Sequence, residues 1–190
     1  MPTTDIFPTK IYTDHFDDYD LLARLCKEVV SRLDLTNDHP ILHHGMYSTW
    51  PKGTQQYVAE EFGPIIEFVE RSAKQYWRDI GYINGNVHIR SSCVNVVNPG
   101  GKMESHHHGK DTMAAVLYLD STPERGNIVF EDPKELILCG QPLANLTQQI
   151  NYEVPSNTGD LLIMPGYLRH FVRTNKTDKN RIAFIANINV

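Results

Sequence analysis

Three histidines of this 190-residue chain have the type and spacing to hold a transition metal. If residues 103–108 form a strand, His106 and His108 point to one face and His107 to the other, because successive side chains of a strand alternate. The best candidate for a third ligand is His170, which follows an apolar segment and a Pro-Gly turn. Three ligands on one side of an ion leave three of six octahedral positions open, as oxygen chemistry at Fe(II) requires.

Other interpretations of the single histidines stay open at this level. A triple-histidine run can be a solvated loop, and a lone histidine such as His170 is more often structural than a ligand. The ordered combination, with turn residues between its parts, favours the metal site. The remaining histidines have no comparable arrangement and are expected to be ordinary loop or surface residues: His15, His39, His43, His44 and His88.

The elements that must position these side chains fall into a helical first part and a strand-rich second part. An edge strand is predicted over residues 6–12, a helix behind the acidic run 17–20, a polar loop over 34–53, and a helix from about Pro64 to Gly81. Short apolar segments divided by turn residues then predict eight strands, near residues 87–97, 103–108, 113–119, 127–130, 149–154, 161–164, 170–173 and 181–188.

This order predicts a mainly β fold, a jelly roll or barrel, with the helices packed on its outer face. Without an internal repeat or a linker, the prediction is one domain over residues 1–190, with helical support over about 15–81 and a β core over about 87–190. The loop 34–53 and the insert 133–148 are long and polar enough to form walls or a lid over the barrel mouth.

Composition restricts the class of protein. A net charge of −5 without a basic patch disfavours nonspecific nucleic-acid binding, and no apolar run is long enough to cross a bilayer. The three cysteines form no CxxC pair, which favours reduced thiols and a cytoplasmic location. The substrate is expected to be a small molecule or a peptidyl group, and the oligomeric state, a homodimer included, stays open.

The chain also resembles a known family over nearly its whole length. The segments that carry the resemblance are, in order, residues 6–9, 94–95, 106–108, 115–119, 126–133, Pro165, His170 and 181–187. They are similar to the Fe(II)/2-oxoglutarate-dependent oxygenase superfamily, and within it to a group with His-x-His…His ligands. The resemblance implies a double-stranded β-helix (jelly-roll) core and a dioxygenase that uses Fe(II), 2-oxoglutarate and O2, with hydroxylation as the default outcome.

The resemblance also implies a pocket for 2-oxoglutarate. Arg181, eleven residues after His170, matches the basic anchor for the far carboxylate, and a guanidinium suits this task because it grips a carboxylate with two hydrogen bonds. The alternative for Arg181 is a surface ion pair. Tyr118 matches a residue that hydrogen-bonds the co-substrate in relatives, or is a core aromatic. Asn95 and Asn187 are the remaining candidates for the pocket, although Asn95 could instead make a hydrogen bond at a strand edge.

One position departs from the superfamily, most of which has Asp or Glu where this chain has His108. A neutral ligand leaves the Fe(II) site one charge unit more positive, which should alter its redox behaviour and metal preference. A carboxylate from Asp111 or Glu104 could serve instead of His108.

Two other functions compete with the oxygenase. The spacing of Gly100, His106 and His108 is similar to the first motif of a cupin, but the usual glutamate after it is missing, since Thr112 and Met113 occupy its places. A non-catalytic metal-binding jelly-roll protein is the third hypothesis, because fold alone does not establish function. A cupin has no need of Arg181, so 2-oxoglutarate binding separates the first two functions.

Overall fold

The computed structural model describes residues 8–33, 35–37, 42, 45–50, 60–133 and 151–190, and in them two antiparallel sheets face each other. The larger sheet has the strand order β1-β8-β5-β10-β3-β2 and the smaller one β4-β9-β6-β7. The strands are β1 (Tyr12–His15), β2 (Met46–Ser48), β3 (His88–Val97), β4 (Met103–His106), β5 (Met113–Asp120), β6 (Ile128–Glu131), β7 (Asn151–Val154), β8 (Asp160–Pro165), β9 (His170–Val172) and β10 (Arg181–Asn189). The predicted mainly β jelly-roll architecture is confirmed.

Two helices cover the outer face of the larger sheet. α1 (Tyr19–Arg24) begins where the Asp18 carboxylate accepts a hydrogen bond of 2.9 Å from the backbone N–H of Leu21, and it continues into a π-helical turn and a 3-10 turn. α2 (Gly63–Asp79) buries an apolar stripe against the sheet, because its apolar residues recur at helical spacing. In the part of the chain that is described, no helix is long and apolar enough to cross a membrane.

The central strands are buried on both faces, since helices cover one face and the smaller sheet covers the other. In β10, Ala183 and Ile185 belong to the inner cluster between the sheets, together with Tyr118 of β5, while their neighbours face the helices. Side chains alternate along a strand, so Arg181 and Asn187 share this inward face. β10 therefore carries polar groups at both ends of an otherwise apolar interior stripe.

The structure differs from the sequence-based elements in three places. β1 begins at Tyr12, so the edge strand predicted over 6–12 is wrong for residues 8–11, while residues 6 and 7 lie outside the described part. The predicted loop 34–53 contains the short strand β2, which pairs with β3. β4 ends at His106, two residues before the predicted end. Residues 134–148 of the predicted insert lie outside the described residues.

Candidate metal centre and co-substrate cavity

The three histidines selected from the sequence come together at one point between the sheets. His106 on β4 and His170 on β9 are direct partners in the ladder of the smaller sheet. His108 lies just beyond β4, where its backbone N–H donates a hydrogen bond of 2.8 Å to the carbonyl oxygen of Gly166, in the turn before β9. The three ring centroids are 4.4–5.5 Å apart, and one ligand nitrogen from each ring lies within 4.8 Å of the other two.

Backbone carbonyls orient two of the rings. His106 Nδ1 lies 3.0 Å from the carbonyl oxygen of Glu104, and His170 Nδ1 lies 2.9 Å from that of Leu168. A carbonyl only accepts hydrogen bonds, so each Nδ1 carries the proton and donates it. The lone pair is then on Nε2, which is the arrangement that a metal-ligating histidine needs.

A side chain orients the third ring. His108 Nδ1 lies 2.6 Å from the Asn187 amide oxygen, and Asn187 Nδ2 in turn donates a hydrogen bond of 3.0 Å to Ser91 Oγ. His108 Nε2 is buried and has no hydrogen-bond partner among the described residues. A buried polar atom without a partner is costly, and a metal ion at this position would satisfy it. Asn187 therefore lies behind His108 and holds its ring.

The electrostatics keep these rings neutral. Burial lowers the pKa of His106 to about 4, and it also lowers the pKa values of His108 and His170. The neighbouring imidazoles lower the pKa values of His106 and His170 further. Neutral imidazole is the metal-binding form, so the site does not require deprotonation at neutral pH.

Both carboxylates considered as substitutes for His108 have other partners. The two oxygens of Asp111 accept hydrogen bonds of 2.6 and 2.9 Å from Nε and Nη2 of Arg90, and this contact raises the pKa of Arg90. Glu104 forms an ion pair of 2.9 Å with Lys102. Among the described residues, the metal-ligating cluster consists of the three histidines alone. The donor set at this point is therefore neutral.

Arg181 and Tyr118 form a second polar group inside the barrel. Arg181 is only 3% exposed, and its guanidinium carbon lies 4.9 Å from the centroid of the buried Tyr118 ring. Nε of Arg181 and the Tyr118 hydroxyl are both buried without a hydrogen-bond partner in the described structure. Burial lowers the pKa of Arg181 and raises that of Tyr118. A buried cation beside a buried hydroxyl is a fitting receptor for a carboxylate.

A cavity of about 410 Å³ opens beside the histidines. Its wall includes Asn95, whose amide oxygen lies 3.7 Å from the Cys93 thiol, as well as Ile185 and Asn187 of β10. The sequence-based candidates did not include Arg90, which also lines this cavity. The sequence does offer a reason to select Arg90, because it is the only Lys or Arg in β3.

Fold and site together define a class: a jelly-roll protein with three convergent neutral histidines and a buried cation that suits a dicarboxylate. The family model described as "Putative 2OG-Fe(II) oxygenase" matches residues 91–187, half of the chain and the part that carries all of these residues. The chain belongs to this family. It is an oxidoreductase, a 2-oxoglutarate-dependent dioxygenase that uses Fe(II), 2-oxoglutarate and O2.

Solved structures agree with this fold. HygX from Streptomyces hygroscopicus, solved with nickel and 2-oxoglutarate, is 13% identical with a TM-score of 0.66 over 95% of this chain and 83% of its own. A Pseudomonas putida prolyl-4-hydroxylase is 15% identical with a TM-score of 0.64 over 95% and 92%. The epimerase SnoN from nogalamycin biosynthesis is 13% identical with a TM-score of 0.67 over 95% and 78%. No curated protein matches the chain significantly in sequence.

Proposed function

We propose that His106, His108 and His170 hold the Fe(II) of this dioxygenase through Nε2, and that Arg181 and Tyr118 hold the far carboxylate of 2-oxoglutarate. The convergence of three imidazoles that are held by their Nδ1 atoms is the observation that carries this proposal. The product of the reaction is a hydroxylated substrate.

Each residue of the chain has a separate task in this proposal. The three hydrogen bonds at Nδ1 fix the imidazoles before the metal arrives, so that little ordering is left for the binding step. Among the described residues, Nε of the buried Arg181 has no hydrogen-bond partner, and a bound carboxylate would supply one beside the Tyr118 ring. When bound, the iron and 2-oxoglutarate would supply the activation of O2, of which one oxygen atom would end in succinate, formed with CO2 from 2-oxoglutarate, and the other in the hydroxylated substrate.

The apolar interior protects this chemistry from water. The inner cluster, which includes Tyr118, Phe130 and Ile185, encloses the polar groups between the two sheets. Phe130 also lies 6.0 Å from the His170 ring, centroid to centroid. Water exclusion strengthens the contact between Arg181 and a carboxylate, and it limits side reactions of a reactive oxidant.

The buried Arg181 separates this function from its competitors. A cupin needs no interior arginine, and a non-catalytic protein gains nothing from a buried cation that has no ion-pair partner among the described residues, since such a cation costs stability. The remaining expectations are part of the proposal: one domain over residues 1–190, a small-molecule or peptidyl substrate, and a cytoplasmic location. Cys26 and Cys93 are free thiols in the described part of the chain, as expected in a reducing compartment.

The direct test is succinate release from 2-oxoglutarate with Fe(II) and O2, screened against candidate substrates. His106→Ala is expected to abolish turnover, and Arg181→Ala chiefly to raise the 2-oxoglutarate concentration that turnover requires. His88→Ala is the matched control, because His88 is exposed, lies outside the histidine cluster and has its Nδ1 2.7 Å from the carbonyl oxygen of Asn86. Wild-type turnover in both site variants would contradict the assignment of roles.

A further inference from the structure

The wall of the 410 Å³ cavity exposes positive charge although the chain carries a net charge of −5. Among the described residues that line it, Arg90 and Lys110 are cationic and Asp111 is the only acid. The Asp111 side chain is 4% exposed and both of its oxygens are held by Arg90, whose own side chain is 45% exposed. The accessible end of this ion pair is therefore the cation.

A β-bulge points Arg90 towards the cavity. In the pairing of β10 with β3, Asn187 lies opposite Ser91 and Ile188 opposite Ile89, so Arg90 is the extra residue between them. Strict alternation would place Arg90 on the face that the helices cover, because its neighbour Ser91 faces inward against Asn187. A bulge of this kind redirects one side chain, and bulges are enriched next to active sites.

Asp111 fixes the direction of the Arg90 guanidinium. It occupies Nε and Nη2, while Nη1 has no hydrogen-bond partner among the residues that the structure describes. Two short hydrogen bonds to a buried carboxylate remove most of the rotational freedom of the side chain, so a ligand that binds Nη1 loses little further entropy. Lys110, the next residue to Asp111, adds a second, exposed cation at the same wall.

The net charge of the loaded metal centre also favours an anionic substrate. In the proposed site, Fe(II) has three neutral ligands, and 2-oxoglutarate balances its two charges. Arg181 then leaves the interior one unit positive. A centre with a carboxylate in place of His108 would be neutral by the same count, so this chain can accept a further negative charge close to its metal.

From these observations we infer that the cavity selects a substrate with an anionic group, a carboxylate or a phosphate, which Arg90 and Lys110 bind. The rest of the substrate lies against the apolar part of the wall, formed by Leu42, Met103 and Ile185. This inference rests on the proposed function, because it assigns the substrate of the same site. A volume of about 410 Å³ is at the small end of the range for small-molecule pockets.

The test is calorimetric titration of the Ni(II)-loaded protein, saturated with 2-oxoglutarate so that the metal and Arg181 are occupied. The probes are 3-phenylpropanoate, phenyl phosphate and the neutral 3-phenylpropanamide. At least one anion is expected to bind about tenfold or more tightly than the amide, and its affinity is expected to fall with added salt. Which anion binds distinguishes a carboxylate substrate from a phosphate substrate.

The variants separate the Arg90 contact from folding defects. Arg90→Gln alone leaves Asp111 buried without a partner, so the decisive variant is the double replacement Arg90→Gln with Asp111→Asn, which keeps the net charge. It is expected to weaken anion binding about tenfold and to leave amide binding unchanged. Lys110→Gln is expected to weaken anion binding about twofold to threefold, since an exposed cation contributes less. Lys74→Gln on α2, outside this cavity, is the control.

Two results would overturn the inference: equal binding of anions and amide to the wild-type protein, or equal anion binding by the wild-type and doubly substituted proteins. Failure of the proposed function gives a different result, because the Ni(II)-loaded protein would then not bind 2-oxoglutarate in the preceding titration. The preference for an anion over the amide can still be measured in that case.

Discussion

Replacement of Arg181 with methionine is expected to change two properties of the protein in opposite directions. Arg181 is 3% exposed, its Nε has no hydrogen-bond partner, and no ion pair joins it to another of the described residues. A buried charge without a partner costs several kcal/mol even after relaxation, and the contact with the Tyr118 ring returns about 2 kcal/mol at most. Methionine fills a similar space without the charge. The metal-free variant should therefore be more stable than the wild type, by about 1–3 kcal/mol.

The affinity for 2-oxoglutarate should fall in the same variant. A guanidinium that grips a carboxylate makes two charge-assisted hydrogen bonds, each of which contributes about 1.5–3 kcal/mol. The loss of both at the lower value is about 3 kcal/mol, which corresponds to an increase in Kd of about 100-fold. One substitution is thus predicted to raise the stability of the metal-free protein and to weaken its binding of 2-oxoglutarate.

Two assays check this prediction. Urea unfolding of the metal-free proteins gives the free energy of unfolding, and calorimetry of the Ni(II)-loaded proteins gives the Kd for 2-oxoglutarate. Lys179→Met is the matched control, because Lys179 is an exposed cation two residues away, and it should change neither quantity. An Arg181→Met protein that is less stable and binds 2-oxoglutarate like the wild type would refute the reasoning.

Three further predictions concern the groups around the metal. Asn187→Ala should weaken metal binding about 10–100-fold by calorimetry, because the His108 ring loses its hydrogen-bond acceptor, and unchanged affinity would contradict this role. Tyr118→Phe should raise the Kd for 2-oxoglutarate about fivefold. It should not lower the stability of the metal-free protein, since the Tyr118 hydroxyl has no hydrogen-bond partner among the described residues, and a destabilised variant would contradict this expectation. Stability of the metal-free protein should be level above pH 6.5 and fall towards pH 4. In that range the unfolded chain binds a proton that folded His106, with a pKa of about 4, does not accept. The loss from His106 alone is about 3 kcal/mol, and a flat profile of unfolding free energy against pH would contradict it.

The central strands and the common orientation of His106 and His108 could be predicted from the sequence, because both depend on patterns within a short segment of chain. Alternation along a strand placed His106 and His108 on one side, and the structure brings both rings to His170 although β4 ends at His106. Apolar segments buried on both faces, such as β5, are also recognisable without tertiary information. The roles of these histidines as ligands stay predictions until a metal complex is measured.

What the sequence did not predict depends on contacts between distant segments. β2 is three residues long and is held by its pairing with β3 and by a bridge from Ser48 to Thr36, so no local pattern distinguishes it from a loop. His15 was expected to be an ordinary loop or surface residue, yet its ring contacts Asp160 at 2.9 Å and the Tyr19 hydroxyl at 2.7 Å. The hydrogen bond between His108 and Asn187 joins residues 79 positions apart.

The most direct measurement is a crystal structure of the protein grown without oxygen in the presence of Fe(II) and 2-oxoglutarate. An anomalous difference peak is predicted at about 2.1 Å from Nε2 of His106, His108 and His170, by analogy with metal–imidazole bonds in general. The far carboxylate of 2-oxoglutarate should contact the Arg181 guanidinium and the Tyr118 hydroxyl. An iron peak away from these three nitrogens, or 2-oxoglutarate bound to Arg90 instead of Arg181, would contradict the proposed site.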